Sequence, residues 1–193
     1  VPPEVGDVNK VCGRCHTAER RYFLAGPHAS GMSRKNMAEC SSCHGDHGTQ
    51  ASNTDNLAAS CVQCHAKGSP EARLGDELLG DYRGASHEIE EAEKWVAMAD
   101  AVPIPTDDFK ARVEEARTYL REAMTAAHAV KPEVMASFTV RARSTGAEVS
   151  DEIQHELKNI RVDKLALIVF WFYVLVTVGI LRRFRNARTQ APR

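Results

Sequence analysis

Three copies of Cys-x-x-Cys-His lie in the first third of the chain: Cys12-Gly13-Arg14-Cys15-His16, Cys40-Ser41-Ser42-Cys43-His44 and Cys61-Val62-Gln63-Cys64-His65. Cysteines three apart put both sulfurs on one side of a single helical turn. The pattern is the attachment signature of c-type haem. Both sulfurs bond covalently to the porphyrin edge, and the histidine that follows becomes the proximal iron ligand. The alternative is a zinc ribbon built from Cys-x-x-Cys pairs, but zinc needs no histidine directly after each pair. With histidine near 2% of residues, three such coincidences have a chance of roughly one in 10⁵. The motifs use all six cysteines, so no thiol is left for a disulfide or a nucleophile. The expected cofactors are three covalently bound haems c. Cys12, Cys15, Cys40, Cys43, Cys61 and Cys64 form the thioethers, and His16, His44 and His65 bind the irons.

Residues 1–68 are poor in large aliphatic side chains and rich in Gly, Ser, Asn and Cys. Alone they cannot bury enough apolar area to fold. Three porphyrins would supply that core and would lie close together, and the chain without them should be disordered. The net charge is −1, with charged content of 26%. The chain has no basic block before its extreme C-terminus, which argues against a nucleic-acid partner.

Residues 165–181 carry no charge. Seventeen helical residues span about 26 Å, slightly short of the ~30 Å hydrocarbon core. Val162, Phe184 and snorkelling Lys164 and Arg182 complete the length. The run is apolar on every face, and the rest of the chain is too polar to wrap it. It is therefore read as a membrane span. Five arginines and no acid follow it, which favours a cytoplasmic tail. The haem region then lies on the periplasmic side of the inner membrane. No signal peptide is visible at Val1, so the numbering is expected to start at the mature N-terminus.

Between these regions the chain is rich in Ala, Glu, Arg and Lys and reads as helix. Ser86 is the expected N-cap of a first helix, with Ile89, Ala92, Val96 and Ala99 as its apolar stripe. Pro103 and Pro105 end it. Thr106 caps the next helix, whose stripe is Phe109, Val113, Ala116, Leu120, Ala123 and Ala127. Pro132 starts a third. Val149, Ile153, Leu157 and Ile160 continue a stripe toward the membrane, with Ser144-Thr145-Gly146 as a potential break. The fold class is thus mainly α. A coil-rich triple-haem domain (1–68) precedes a helical hairpin and stalk (69–161), one transmembrane helix (162–182) and a basic tail (183–193).

Five histidines remain for the distal iron positions. His47, in Cys-His-Gly-Asp-His-Gly, follows glycines that let the backbone turn tightly. His28 precedes the second motif. The third position is open between His87 and His128, which an antiparallel hairpin would bring to the same side. His155 falls on a polar helix face. Met32 and Met37 are rivals whose ligation would raise the potential. Bis-histidine, low-potential haems are expected.

The three motifs, the run through His47 and the separate His28 resemble the multihaem class III cytochromes c over residues 1–68. The resemblance implies a haem-held fold, bis-histidine iron and electron carriage without substrate chemistry or catalytic residues. The soluble members lack an anchor and a helical segment like 86–161. The C-terminal anchor is similar to that of cytochrome c1, which implies a subunit of a larger membrane complex with haem beside the bilayer. Its expected partners are lipid, quinone-linked, haem b or iron–sulfur membrane subunits, and a periplasmic redox protein. The competing function is a multihaem reductase of a small oxyanion with one open iron. A haem sensor is a third possibility.

Overall fold

The computed structural model describes residues 8–31, 39–45, 54 and 56–189. His47, Met32 and Met37 lie outside them. All regular structure among the described residues is helical: α1 (Val8–Cys12), α2 (Thr17–Ala25), α3 (Cys40–His44), α4 (Asn56–Cys61), α5 (Pro70–Ala99), α6 (Asp107–Ala126) and α7 (Pro132–Thr189). Short 3₁₀ turns cover Pro27–Gly31 and Ala127–Ala129.

The long helices α5, α6 and the first half of α7 form a three-helix bundle. Their stripes meet in one core. Ala85, Ile89, Ala92, Val96 and Ala99 of α5 pack with Val113 and Ala116 of α6 and with Ala142, Val149 and Ile153 of α7. So many alanines let the helix axes approach closely. The expected break at Gly146 does not occur, and α7 is uninterrupted there. A Cβ on Gly146 would stand 3.0 Å from the Glu88 carbonyl oxygen. The glycine therefore serves the crossing of α5 and α7, not a turn. Gly146→Leu should cost about 1–3 kcal/mol by overpacking, read as a lower urea midpoint.

α5 starts sixteen residues before the expected Ser86. Ser69 is its N-cap, its hydroxyl accepting from the Ala72 N–H at 3.2 Å, with Pro70 in the first turn. That cap-plus-proline signal outweighs Gly75, Gly80 and Gly84, each of which weakens a helix interior. Ser86 lies mid-helix and donates to Glu90. Thr106 does precede α6, but its hydroxyl does not cap the helix. It donates to Asp100 instead. Lys110, at 2.8 Å, and then Thr106 hold the Asp100 carboxyl below its ordinary range. This pins the turn between α5 and α6.

Outer ion pairs cross the bundle. Arg112 of α6 grips Glu152 of α7 with both guanidinium arms, at 2.6 and 3.0 Å, and Arg117 meets Glu93 of α5 at 2.6 Å. Exposed pairs of this kind are worth ~0–1 kcal/mol each, so the alanine core carries most of the stability.

Beyond Leu157 most apolar residues of α7 are exposed. The stretch has mean hydropathy 2.3 in its most apolar window, none of it buried. Leu165, Phe170, Trp171, Phe172, Tyr173 and Leu175 are all more than half exposed. By length and composition this helix is able to cross a membrane.

A second, smaller core closes the opposite end of the bundle. There Leu78, Ala123, Ala127 and Met135 pack with Leu57 of α4 and with Leu74, Tyr82 and Phe138. The haem motifs lie at this end of the bundle, and the apolar stretch of α7 leaves from the other. They gather at this far end, because α4 docks on the start of α5 and α2 leans on the end of α6.

Candidate haem-binding site

Each cysteine motif folds as one helical turn. In the first, the His16 N–H donates to the Cys12 carbonyl at 3.0 Å, and in the third the His65 N–H donates to Cys61 at 2.9 Å. The second motif is α3 itself. A reciprocal cap locks it. The Glu39 side chain accepts from the Ser42 N–H, and the Ser42 hydroxyl accepts from the Glu39 N–H at 3.0 Å. Gly45 then takes φ +78°, the left-handed conformation that glycine favours, and ends the turn.

The three turns lie side by side. α3 packs on α1. Partial burial raises the Cys40 thiol pKa, with Cys12 contributing next. Burial likewise raises Cys43, followed by Cys61 and Cys64. The second motif is therefore the middle one. The third is fastened to the bundle: a Cβ on Gly75 of α5 would come within 2.6 Å of the Cys61 sulfur and 3.2 Å of the Ala58 Cα. None of the six cysteines is in a disulfide.

Two motif histidines face another imidazole. The rings of His44 and His128 have centroids 6.0 Å apart with planes 17° from parallel. Those of His65 and His28 are 6.2 Å apart, tilted by 33°. An imidazole nitrogen binds a first-row metal at about 2.0–2.1 Å, so two rings on opposite sides of one iron have centroids roughly 6 Å apart. The residues present therefore fit haem iron held between two histidines. They do not fit a zinc ribbon, since among the described residues no three His, Cys, Asp or Glu converge as a metal site.

The local fold explains how each distal ring is aimed. α6 ends in the 3₁₀ turn carrying His128, whose Nδ1–H donates to the Thr125 carbonyl at 3.0 Å. That bond fixes the tautomer and leaves Nε2 with its lone pair outward, the usual arrangement behind a ligating imidazole. Val130 ends the turn at φ 51°, ψ 42°, a left-handed conformation costly for a β-branched residue. Gly26 lets the backbone before His28 approach this turn, because a Cβ there would lie 2.6 Å from the Ala129 carbonyl oxygen. Partial desolvation, then His128 and His16, push the His44 imidazole below its ordinary pKa. Desolvation, then His65, does the same to His28. Both shifts favour the neutral ring that binds metal.

The other candidates lie elsewhere. His87 does not reach the motifs. Because α5 starts at Pro70, His87 sits well inside that helix, exposed beside Glu91. It is nine residues, about 13 Å, past Leu78 along the axis. His155 is exposed near the other end and accepts from the Asn159 side chain at 3.2 Å. His16 pairs loosely with Glu19 at 3.9 Å, and no described histidine stands opposite it.

Sequence reasoning missed the Glu39–Ser42 lock, the Thr125 carbonyl and the glycine contact at Gly75. Only the last has a sequence signal, a glycine inside a helical stretch, which marks close approach of another backbone.

No curated protein and no solved structure matches the chain. Residues 11–78 match a family model, described as cytochrome c554 and c-prime. The match runs past residue 68 into α5. It supports a c-type cytochrome, with covalently bound haem and electron transfer as its activity.

Proposed function

We propose that the chain is a membrane-anchored cytochrome carrying three haems c, which relays single electrons to a periplasmic acceptor as part of a larger membrane complex. The observation that carries this reading is the adjacency of three Cys-x-x-Cys-His motifs, two of them with a second imidazole whose ring centre lies about 6 Å from the motif histidine. Haem supplies reversible one-electron chemistry at iron. The protein supplies the rest. Six cysteines fix three attachment points on neighbouring turns, so the redox centres are close enough for rapid hopping. His44 with His128, and His65 with His28, would hold two of the haem irons, leaving neither open to a substrate. His16 would hold the first iron, with His47 as the proposed second ligand. The carbonyl of Thr125 holds the His128 ring in its ligating tautomer. The span in α7 ties the assembly to the inner membrane, with the arginine tail on the cytoplasmic side.

Bis-histidine ligation places potentials at the low end of the c-type range, below those of Met-ligated haem. A spectroelectrochemical titration of the full chain in detergent should give three low-potential, low-spin transitions, and the reduced protein should not bind carbon monoxide. A high-spin component with rapid carbon monoxide binding would favour an oxyanion reductase instead.

A further inference from the structure

The bundle separates two things that the sequence suggests should be neighbours. At one end the haem motifs are fastened to Leu78, Ala127 and Met135 through Leu57. At the other, Ile104 and Phe109 at the α5–α6 turn pack around Ile153 and Leu157. The apolar stretch leaves the bundle just beyond. From Met135 to Val162 is 27 residues of uninterrupted helix, about 40 Å of rise.

We propose that the three-helix bundle is a stand-off. It holds the haem-bearing head about 40 Å from the lipid surface, so the head exchanges electrons with a redox centre on the extramembrane part of a partner protein, not with quinone inside the bilayer. This inference rests on the anchored-cytochrome reading above. It narrows the donor, which the sequence leaves open between the quinone pool and a partner subunit.

Three observations carry it. The spacer is stiff. α7 has no proline after Pro132 until residue 192, and its one glycine before the span, Gly146, is clamped against Glu88. The crossing pairs of Arg112 with Glu152 and Arg117 with Glu93 brace it on two sides. The spacer is also electrically empty. No cysteine follows Cys64, and the histidines beyond the head, His87 and His155, stand apart from each other on different helices. Electron tunnelling decays exponentially with distance, so tens of ångströms of cofactor-free helix insulate. Finally, tilt does not close the gap. A helix tilted by the usual ~20° still keeps more than nine-tenths of its height.

The test uses the full, haem-loaded chain in a supported phosphatidylcholine bilayer. Vesicle flotation and a haem count come first. A chain that does not float removes the anchor reading and this inference together. For a chain that floats, neutron reflectometry should place the head density about 40 Å above the headgroups. A ruthenium photoreductant free in solution should reduce the haems, and the same complex tethered to lipid headgroups should lose that fast phase. Head density within about 15 Å of the headgroups, equivalent to some ten residues of helix, overturns the stand-off while leaving the cytochrome reading intact. Fast reduction from the tethered donor does the same.

Discussion

His128→Ala should convert one haem of three from six-coordinate low-spin to an open, high-spin site, while His87→Ala changes nothing. His128 faces His44 at 6.0 Å with Nδ1 committed to Thr125, and no other described histidine is placed to replace it. Removing the ring leaves a proximal ligand alone. The reduced variant should bind carbon monoxide at that haem. Its potential should rise on the order of 0.1 V, a modest part of the ~0.8 V that axial ligation spans. His128→Met should preserve the low-spin state yet still raise the potential, which separates ligation from mere packing. His28→Ala should do the same for the third haem. Electronic spectra with and without carbon monoxide provide the measurement. A spectrum unchanged in His128→Ala would remove the proposed pairing.

Replacing both cysteines of the third motif (Cys61→Ser with Cys64→Ser) should have a larger structural effect. The pyridine haemochrome should fall by about one third, since c-type attachment needs the cysteine pair. The same change should loosen the head. α4 is held on α5 by the contact of Cys61 with Gly75 and by Leu57 in the second, smaller core. Cofactor binding energy is folding energy when the chain cannot close a core alone. Protease should therefore cut residues 39–68 readily in the variant, while the bundle from α5 to α7 keeps its helical circular dichroism. Gly75→Val, which leaves the cysteines untouched, should give the same protease sensitivity with all three haems still attached, because its side chain must push α4 away.

The pattern of what was legible follows from the physics. The motifs are covalent chemistry written in five adjacent residues, so they survive any fold. The stripes of α6 and of the later part of α5 are also readable, because burial at period 3.6 leaves its trace in apolar spacing. The start of α5 was obscured by Gly75, Gly80 and Gly84, which lower helix propensity, while the decisive signal was the Ser69-Pro70 pair. Gly146 reads as a breaker from propensity alone, and only tertiary contact shows it as a close-approach site. The distal ligands were the hardest. Whether His87 or His128 turns toward a motif depends on helix register across the bundle, and a helix boundary misplaced by sixteen residues reverses the answer. The distance from the head to the apolar stretch depends on the same register, and it emerges only once α5 is seen to run parallel to the first half of α7, with Asp81 beside Arg143 and Glu88 beside Gly146.

The chain should carry three thioether-linked haems. Intact-protein mass spectrometry under denaturing conditions tests it most directly, because noncovalent cofactors are lost and covalent ones remain. The chain should be heavier than its sequence by three haem masses, with a pyridine haemochrome of three per polypeptide. A mass showing fewer haems, or bare thiols at Cys12, Cys15, Cys40, Cys43, Cys61 or Cys64, would contradict it.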